Sequence, residues 1–307
     1  MSHNHSHSHS HSHSNLKGKK LILSIILNIG ITLAQIYGSI VSGSLSLLSD
    51  ALHNFSDVLA LIITFIGNKL TQSKFSKTKT FGLKRAEILA ALINTTTLIA
   101  ISFILIKESI FRFQNIQNID STWVISLSIL SILFNGISVL LLHKDSHDNL
   151  NIKSAYLHLL TDMFSSFAIL LGGIGMYYFQ IFWLDPLLTI IIGIYLMISG
   201  VQLFFETIRV LMQFSPSNID IEKVQNEIKK IEYIENIHHV HLWKLNENDI
   251  YFEAHIDINK DILLSEVDNI LKTVRDTLNK KFKISHTTLQ PEFAIDDSKS
   301  LISDHHH

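Results

Sequence analysis

Leu52-His53-Asn54-Phe55-Ser56-Asp57 lies inside a long apolar run, and its frame returns in another as Leu157-His158-Leu159-Leu160-Thr161-Asp162. Both read Leu-His-x-x-Ser/Thr-Asp. On a helix, residues four apart share a face, so each His/Asp pair points one way. Ionisable groups inside a bilayer are costly and need partners. Two matching pairs in apolar surroundings therefore point to one shared partner.

The two runs belong to a set of six, near residues 20–42, 44–70, 85–112, 121–142, 153–179 and 185–212. Each has about the 20 residues that a helix needs to cross a bilayer core of about 30 Å. The chain has 307 residues, of which 47% are hydrophobic and only 17% charged, with a mean hydropathy of +0.28. A soluble domain usually carries about 25% charge. Net charge is −2, which argues against nucleic-acid binding. There is no cysteine, so disulfides, thiolate nucleophiles and all-cysteine zinc sites are excluded.

Charge divides the chain near Ser215-Pro216. Residues 1–215 hold 24 charged side chains and residues 216–297 hold 26. The expected domains are a disordered His-rich tail (1–16), a six-helix transmembrane domain (17–215), a cytoplasmic α+β domain (216–297) and a flexible tail (298–307). Lys and Arg set the orientation. They flank the first run (Lys17, Lys19, Lys20), fill the 2–3 connection (Lys69 to Arg85) and recur between runs 4 and 5 (Lys144, Lys153), whereas the 1–2 and 5–6 turns have none. The positive-inside rule then puts both termini in the cytoplasm, with Lys107 and Arg112 as an outer-side exception. No signal peptide is expected, because the first apolar run is too long and follows a polar tail. The last domain reads α-β-β-α-β, with helices over Ile219–Ile231 and Ile262–Phe282 and strands over Asn236–Leu245, Ile250–Ile258 and Ile284–Leu289. A ferredoxin-like or metallochaperone-like sandwich satisfies that order.

Depth arithmetic tests whether the repeats can meet. Runs 2 and 5 are antiparallel. At about 1.5 Å per residue in a core of about 30 Å, His53 lies roughly 16 Å and Asp57 roughly 10 Å above the inner boundary. On the same scale His158 lies roughly 9 Å and Asp162 roughly 15 Å above it. His53 thus falls opposite Asp162, and Asp57 opposite His158. Two imidazoles and two carboxylates form a tetrahedral N2O2 set suited to Zn²⁺. Lack of thiolates disfavours Cu(I), and two histidines do not suit Mg²⁺ or Ca²⁺. Co²⁺, Cd²⁺, Ni²⁺ and Fe²⁺ stay open. The plainer reading is two separate His–Asp bonds that join helices. Asp50, one turn before His53, is read as a cap on the outer turn, with a part in the ion pathway as the alternative. Asn28, Gln35, Asn94, Thr95 and Asn135 are read as interhelical hydrogen-bonding groups.

From Lys17 to Glu292 the sequence resembles the cation diffusion facilitator family. The resemblance rests on Gly43-Ser44-Leu45-Ser46-Leu47-Leu48-Ser49-Asp50-Ala51-Leu52-His53 with Asp57, on Phe81-Gly82-Leu83-Lys84-Arg85-Ala86-Glu87 continuing to Asn94, and on His158-x-x-x-Asp162. His238-His239-Val240-His241-Leu242-Trp243 and His286-Thr287-Thr288-Leu289-Gln290 add to it. It implies a homodimeric exporter in a lipid bilayer that exchanges divalent cations for protons, and no enzyme. It places the transport site at His53, Asp57, His158 and Asp162, where histidine at the first position goes with zinc. It also implies metal ligands at His238, His255 and His286, with His239, His241 and Glu292 as weaker candidates. Dimer contacts are implied along the third run, where Ala86, Ala90 and Ala91 are small, and in the last domain. Thr71–Thr80 contains no His, Asp or Glu, so the accessory site of some members is not expected.

Eighteen histidines remain to be sorted. Six alternate with serine from His3 to His13 and read as a metal-capturing tail. His305–His307 end the chain without an assigned role. Other readings are an exporter of another divalent metal, a membrane-tethered metal sensor and, least, an intramembrane zinc hydrolase. The last lacks His-Glu-x-x-His and an open coordination position. Compact size and the lack of targeting signals favour a bacterial cytoplasmic membrane.

Overall fold

Apolar residues with helical continuity and few breakers make six long helices. In the computed structural model these are α1 (His11–Ser42), α2 (Leu45–Thr71), α3 (Ala86–Gln114), α4 (Ser121–His143), α5 (Leu150–Phe179) and α6 (Leu184–Leu211). The structure describes residues 11–71, 76–143, 150–246, 249–296 and 298–302. Among them, Ala86–Gln114, Ser121–His143, Tyr156–Phe179 and Leu184–Leu211 are long and apolar enough to cross a membrane. In α1 the apolar segment is shorter, Ile26–Ser42. Most side chains in the second half of α2 lie outside the described residues, as do those of the Lys17–Lys20 cluster. So do most residues of the His/Ser tail and His305–His307. The tail boundary shifts, because α1 already starts at His11 and residues 11–16 are helical.

The chain forms two bodies. One comprises Met1–Thr64 with Ile93–Leu203, the other Phe65–Leu92 with Phe204–His307. The second body thus includes the 65–92 segment besides the C-terminal part of the chain.

The first body is polar inside and apolar outside. On α4, Ser128, Ser131, Asn135 and Ser138 are buried, while Leu133 and Leu140 are 54% and 76% exposed. Water would favour the reverse, whereas lipid favours small and polar residues at helix contacts. Helix α4 packs along both α1 and α5. The turn between α1 and α2 needs Gly43, whose φ of +75° is left-handed and whose N–H donates to the Ser39 carbonyl at 3.0 Å. Asp185, in the first turn of α6, caps the start of α2. Its carboxylate accepts from the Leu45 N–H at 2.8 Å, the Ser46 N–H at 3.1 Å and the hydroxyls of Ser44 and Ser46 at 2.5 and 2.6 Å. Asp50 is therefore not the cap of that turn.

The second body contains α7 (Ile221–Ile228), β1 (Ile234–Lys244), β2 (Ile250–Ile258), α8 (Leu264–Phe282) and β3 (His286–Glu292), the expected α-β-β-α-β order. The sheet runs β1-β2-β3, antiparallel then parallel. Strand β2 buries Ile250, Phe252, Ala254, Ile256 and Ile258, strict alternation that aims one face at the helices. Helix α8 answers with Val267, Leu271, Val274 and Leu278, one stripe of an amphipathic helix. Asp220 caps α7 through the N–H groups of Glu222 and Lys223. Strand β1 bulges between His238 and His241, and His239 adopts φ +51°. The bulge buries Ile237 and His238 in succession, so alternation fails there.

The 298–307 stretch, read as flexible, is partly held. Ser300 and Leu301 carbonyls accept from the His239 and Val240 N–H groups at 3.2 and 2.9 Å, because the bulge leaves these two residues out of register with β2.

Candidate metal centre

Helices α2 and α5 bring the two repeats face to face. His53 Nε2 lies 3.4 Å from Asp162 Oδ1, and His158 Nε2 lies 3.1 Å from Asp57 Oδ2. These cross-helix pairs are those the depth arithmetic anticipates. Within each helix, His53 Nδ1 is 3.6 Å from Asp57 Oδ2 and His158 Nε2 is 3.6 Å from Asp162 Oδ2. The imidazole centroids stand 5.7 Å apart.

The spacing is that of a tetrahedral ion site and also that of paired histidines and aspartates. Ligands about 2.0–2.2 Å from a tetrahedral zinc stand about 3.3–3.6 Å from one another. The donor separations here span 3.1–3.6 Å. Moreover, His53 Nδ1, Asp57 Oδ2 and both Asp162 carboxylate oxygens are buried without a hydrogen-bond partner. Ligand atoms of His53, His158 and Asp162 lie within 4.8 Å of one another. Asp162 is 1% exposed and His158 40%, so the set is dry on one side and open on the other.

A polar layer sits one turn along the helices. The Gln35 amide donates to Asp50 Oδ2 at 2.7 Å, and the Ser165 and Ser166 hydroxyls donate to Asp50 at 2.9 and 3.2 Å. Asn54 donates to Gln35 Oε1 at 3.1 Å, and Ser131 and Ser166 share a bond of 2.8 Å. Gln35 behaves as the interhelical group expected, and Asn94 likewise bonds Ser56 at 3.3 Å. Asp50, Asn54, Ser165 and Ser166 were not assigned to this layer from the sequence. Their signal was spacing: Asp50 precedes His53 by three, and Ser165 and Ser166 follow Asp162 by three and four. Tyr195 of α6, also unassigned, sets its ring edge-on to His53 at 6.4 Å.

The profile described as the cation efflux transmembrane domain matches residues 21–212, and that described as the cation efflux protein cytoplasmic domain matches residues 216–294. The chain belongs to the cation efflux family. Among its relatives is the "Cadmium, cobalt and zinc/H(+)-K(+) antiporter" of Bacillus subtilis (strain 168), 35% identical over 94% of this chain and 96% of that one. The "Metal cation efflux system protein CzcD" of Cupriavidus metallidurans is 28% identical over 85% and 82% of the two chains. The "Zinc transporter ZitB" of Escherichia coli (strain K12) is 27% identical over the full length of both. The cation efflux family moves divalent metals, and the transmembrane match makes this an integral membrane protein.

In this cation efflux chain the second body holds another donor cluster. His238, His255 and Glu292 have ligand atoms within 4.8 Å of one another. His255 Nδ1 is 2.7 Å from Glu292 Oε1, and His238 Nε2 is 3.3 Å from Glu292 Oε2. Asp257 Oδ2 lies 3.1 Å from His238 Nδ1, where it can hold the ring and leave Nε2 to a metal. His286 is not brought there. It opens β3 and lies with its ring 4.5 Å from that of Tyr251. The parallel register explains this, since His255 faces Gln290 and Asp257 faces Glu292, whereas His286 faces Tyr251. At about 3.3 Å per residue, four residues of β3 put His286 about 13 Å from Gln290. Glu292, the weaker candidate, takes its place. His239 stacks on His255 at 4.8 Å, turned there by the bulge, and His241 lies 5.1 Å from His239.

Proposed function

We propose that this protein exports divalent cations, zinc foremost, from the cytoplasm in exchange for protons. His53, Asp57, His158 and Asp162 form the transport site. The meeting of the two His/Asp repeats supports the reading: His53, His158 and Asp162 offer ligand atoms within 4.8 Å of one another, and Asp57 Oδ2 lies 3.1 Å from His158 Nε2. Nitrogen and oxygen donors without sulfur suit zinc, and the ligands must shed protons to bind it. Protons arriving from the far side compete for the same imidazoles and carboxylates, and so release the metal. The site's open side gives the ion its way in.

Six spans, both termini in the cytoplasm and a bacterial cytoplasmic membrane complete the reading. The protein works as a homodimer, joined through α3 and the second body. His238, His255 and Glu292 bind a regulatory metal, with Asp257 orienting His238. A second substrate class, cadmium and cobalt, is favoured by the name of the Bacillus subtilis relative.

The test is zinc uptake into everted membrane vesicles under an imposed pH gradient. Wild type accumulates zinc, and Asp57→Ala or Asp162→Ala abolishes accumulation. Wild-type uptake by either variant refutes the site. Competition by cadmium, cobalt, nickel and iron in the same vesicles ranks the substrates.

A further inference from the structure

The cytoplasmic cluster already has a cation beside it, supplied by the chain's own C-terminus. Residues after β3 return to the outer edge of β1. Ser300 and Leu301 carbonyls accept from the His239 and Val240 N–H groups, and the Asn236 amide donates to the Lys299 carbonyl at 3.4 Å. Leu301 packs against the sheet's hydrophobic core. With backbone fixed on both sides, the Lys299 ammonium reaches Asp257 Oδ1 at 2.7 Å and Glu292 Oε2 at 3.6 Å. These are the two carboxylates that hold His238, Asp257 at Nδ1 and Glu292 at Nε2. The ammonium therefore stands on one ligand of the donor set and on the carboxylate that orients another.

We propose that Ser298–Leu301 is a strap and Lys299 a tethered cation that competes with the divalent metal for Glu292. The inference rests on reading His238, His255 and Glu292 as a metal site. A doubly charged ion on Glu292 would face an ammonium a few ångströms away among half-buried groups, where repulsion is weakly screened. Filling the site thus expels Lys299 and loosens the strap. By linkage, a docked strap weakens metal binding by the same factor. The strap seats on the bulge that also turns His239 toward His255, so its release frees the backbone of His239 and Val240 beside the cluster.

The test uses the full-length protein in detergent, titrated with zinc by calorimetry, with amide hydrogen exchange read at His239 and Val240. His255→Ala identifies the cytoplasmic binding step, because it removes that step from the titration. Lys299→Met, which keeps the side-chain length and removes the charge, tightens this step by about 5–150-fold, the usual size of a coupling between sites. Lys299→Arg retains wild-type affinity. In the wild type, saturating zinc speeds exchange at both amides, and in His255→Ala it does not. If His255→Ala leaves the zinc stoichiometry unchanged, the metal-site reading fails. If that step is lost but Lys299→Met binds like wild type, or zinc leaves the two amides protected, the strap is overturned while the metal site stands. The exchange measurement needs no variant at Lys299, so a poorly folded substitution cannot shield the proposal.

Discussion

Asp50 accepts three hydrogen bonds from two neighbouring helices while being 1% exposed. It stands one turn from His53 on α2, and the α5 serines that bond it follow Asp162 by three and four residues. Its work is to hold α1 and α5 against α2, so that two repeats on separate helices face each other at ligand spacing. Truncation to alanine would leave Gln35, Ser165 and Ser166 with donors aimed at a void. Each buried polar group left unsatisfied costs about 1–3 kcal/mol. Asp50→Ala should therefore lower the melting temperature in detergent while keeping the zinc stoichiometry. An unchanged melting temperature would show that the layer does not hold the helices. The facing of the two repeats was legible because His-x-x-x-Asp recurs at matching depth in two antiparallel apolar runs. The layer was not, because serine, asparagine and glutamine in membrane helices carry no direction until their neighbours are known.

The six long helices follow from apolar length, and the second body follows from the change in charge density and the switch between helical and alternating periods. Each element ends within a few residues of its expected boundary; β2 starts at Ile250 and ends at Ile258 as read. Errors arise where one element depends on another. Alternation could not orient the β1 histidines because a bulge breaks it, and the separation of His286 from His238 and His255 was not legible because strand register is a property of two strands. Asp185 is the same case: a carboxylate on α6 caps α2, 140 residues away in sequence at its Leu45 contact. Losing an N-cap typically costs about 0.5–2 kcal/mol. Asp185→Ala should reach or exceed the upper end, since two hydroxyls lose their acceptor as well, and thermal unfolding in detergent reads it. In the second body, Lys230 and Lys281 flank Glu227 at 2.6 Å each and pull its pKa down from 4.5 to about 2. This tie between α7 and α8 is fully present above pH 4.5 and fades as the pH falls toward 2. Lys281→Gln should flatten that part of the acid-unfolding curve, by a small amount typical of exposed ion pairs.

At the scale of the molecule, α2 and α3 carry the fold's division within single helices, because residues 65–92 belong to the second body and the rest of these helices to the first. The 76–85 segment is fastened to the hairpin of β1 and β2. Lys84 Nζ lies 2.7 Å from Asp249 Oδ2, and the Phe81 ring meets the Tyr251 ring edge-on at 5.7 Å. The Asp249 carboxylate raises the Lys84 pKa above its ordinary value, so the ammonium stays charged throughout the physiological range. Tyr251 in turn stacks with Trp243 at 5.6 Å and contacts the His286 ring at 4.5 Å. As a stability device the pair is minor, since exposed ion pairs are worth about 0–1 kcal/mol. Its position matters more. α2 carries His53 and Asp57 in its first half, and its residues from Phe65 on belong to the second body. Lys84→Asp should leave the melting temperature within a few degrees, keep zinc binding, and slow zinc flux in vesicles. Asp249→Lys should do the same, and the double exchange should restore flux by re-forming the pair with reversed charges. Restoration separates a coupling role from a general effect of charge, which would make the double variant the slowest of the three.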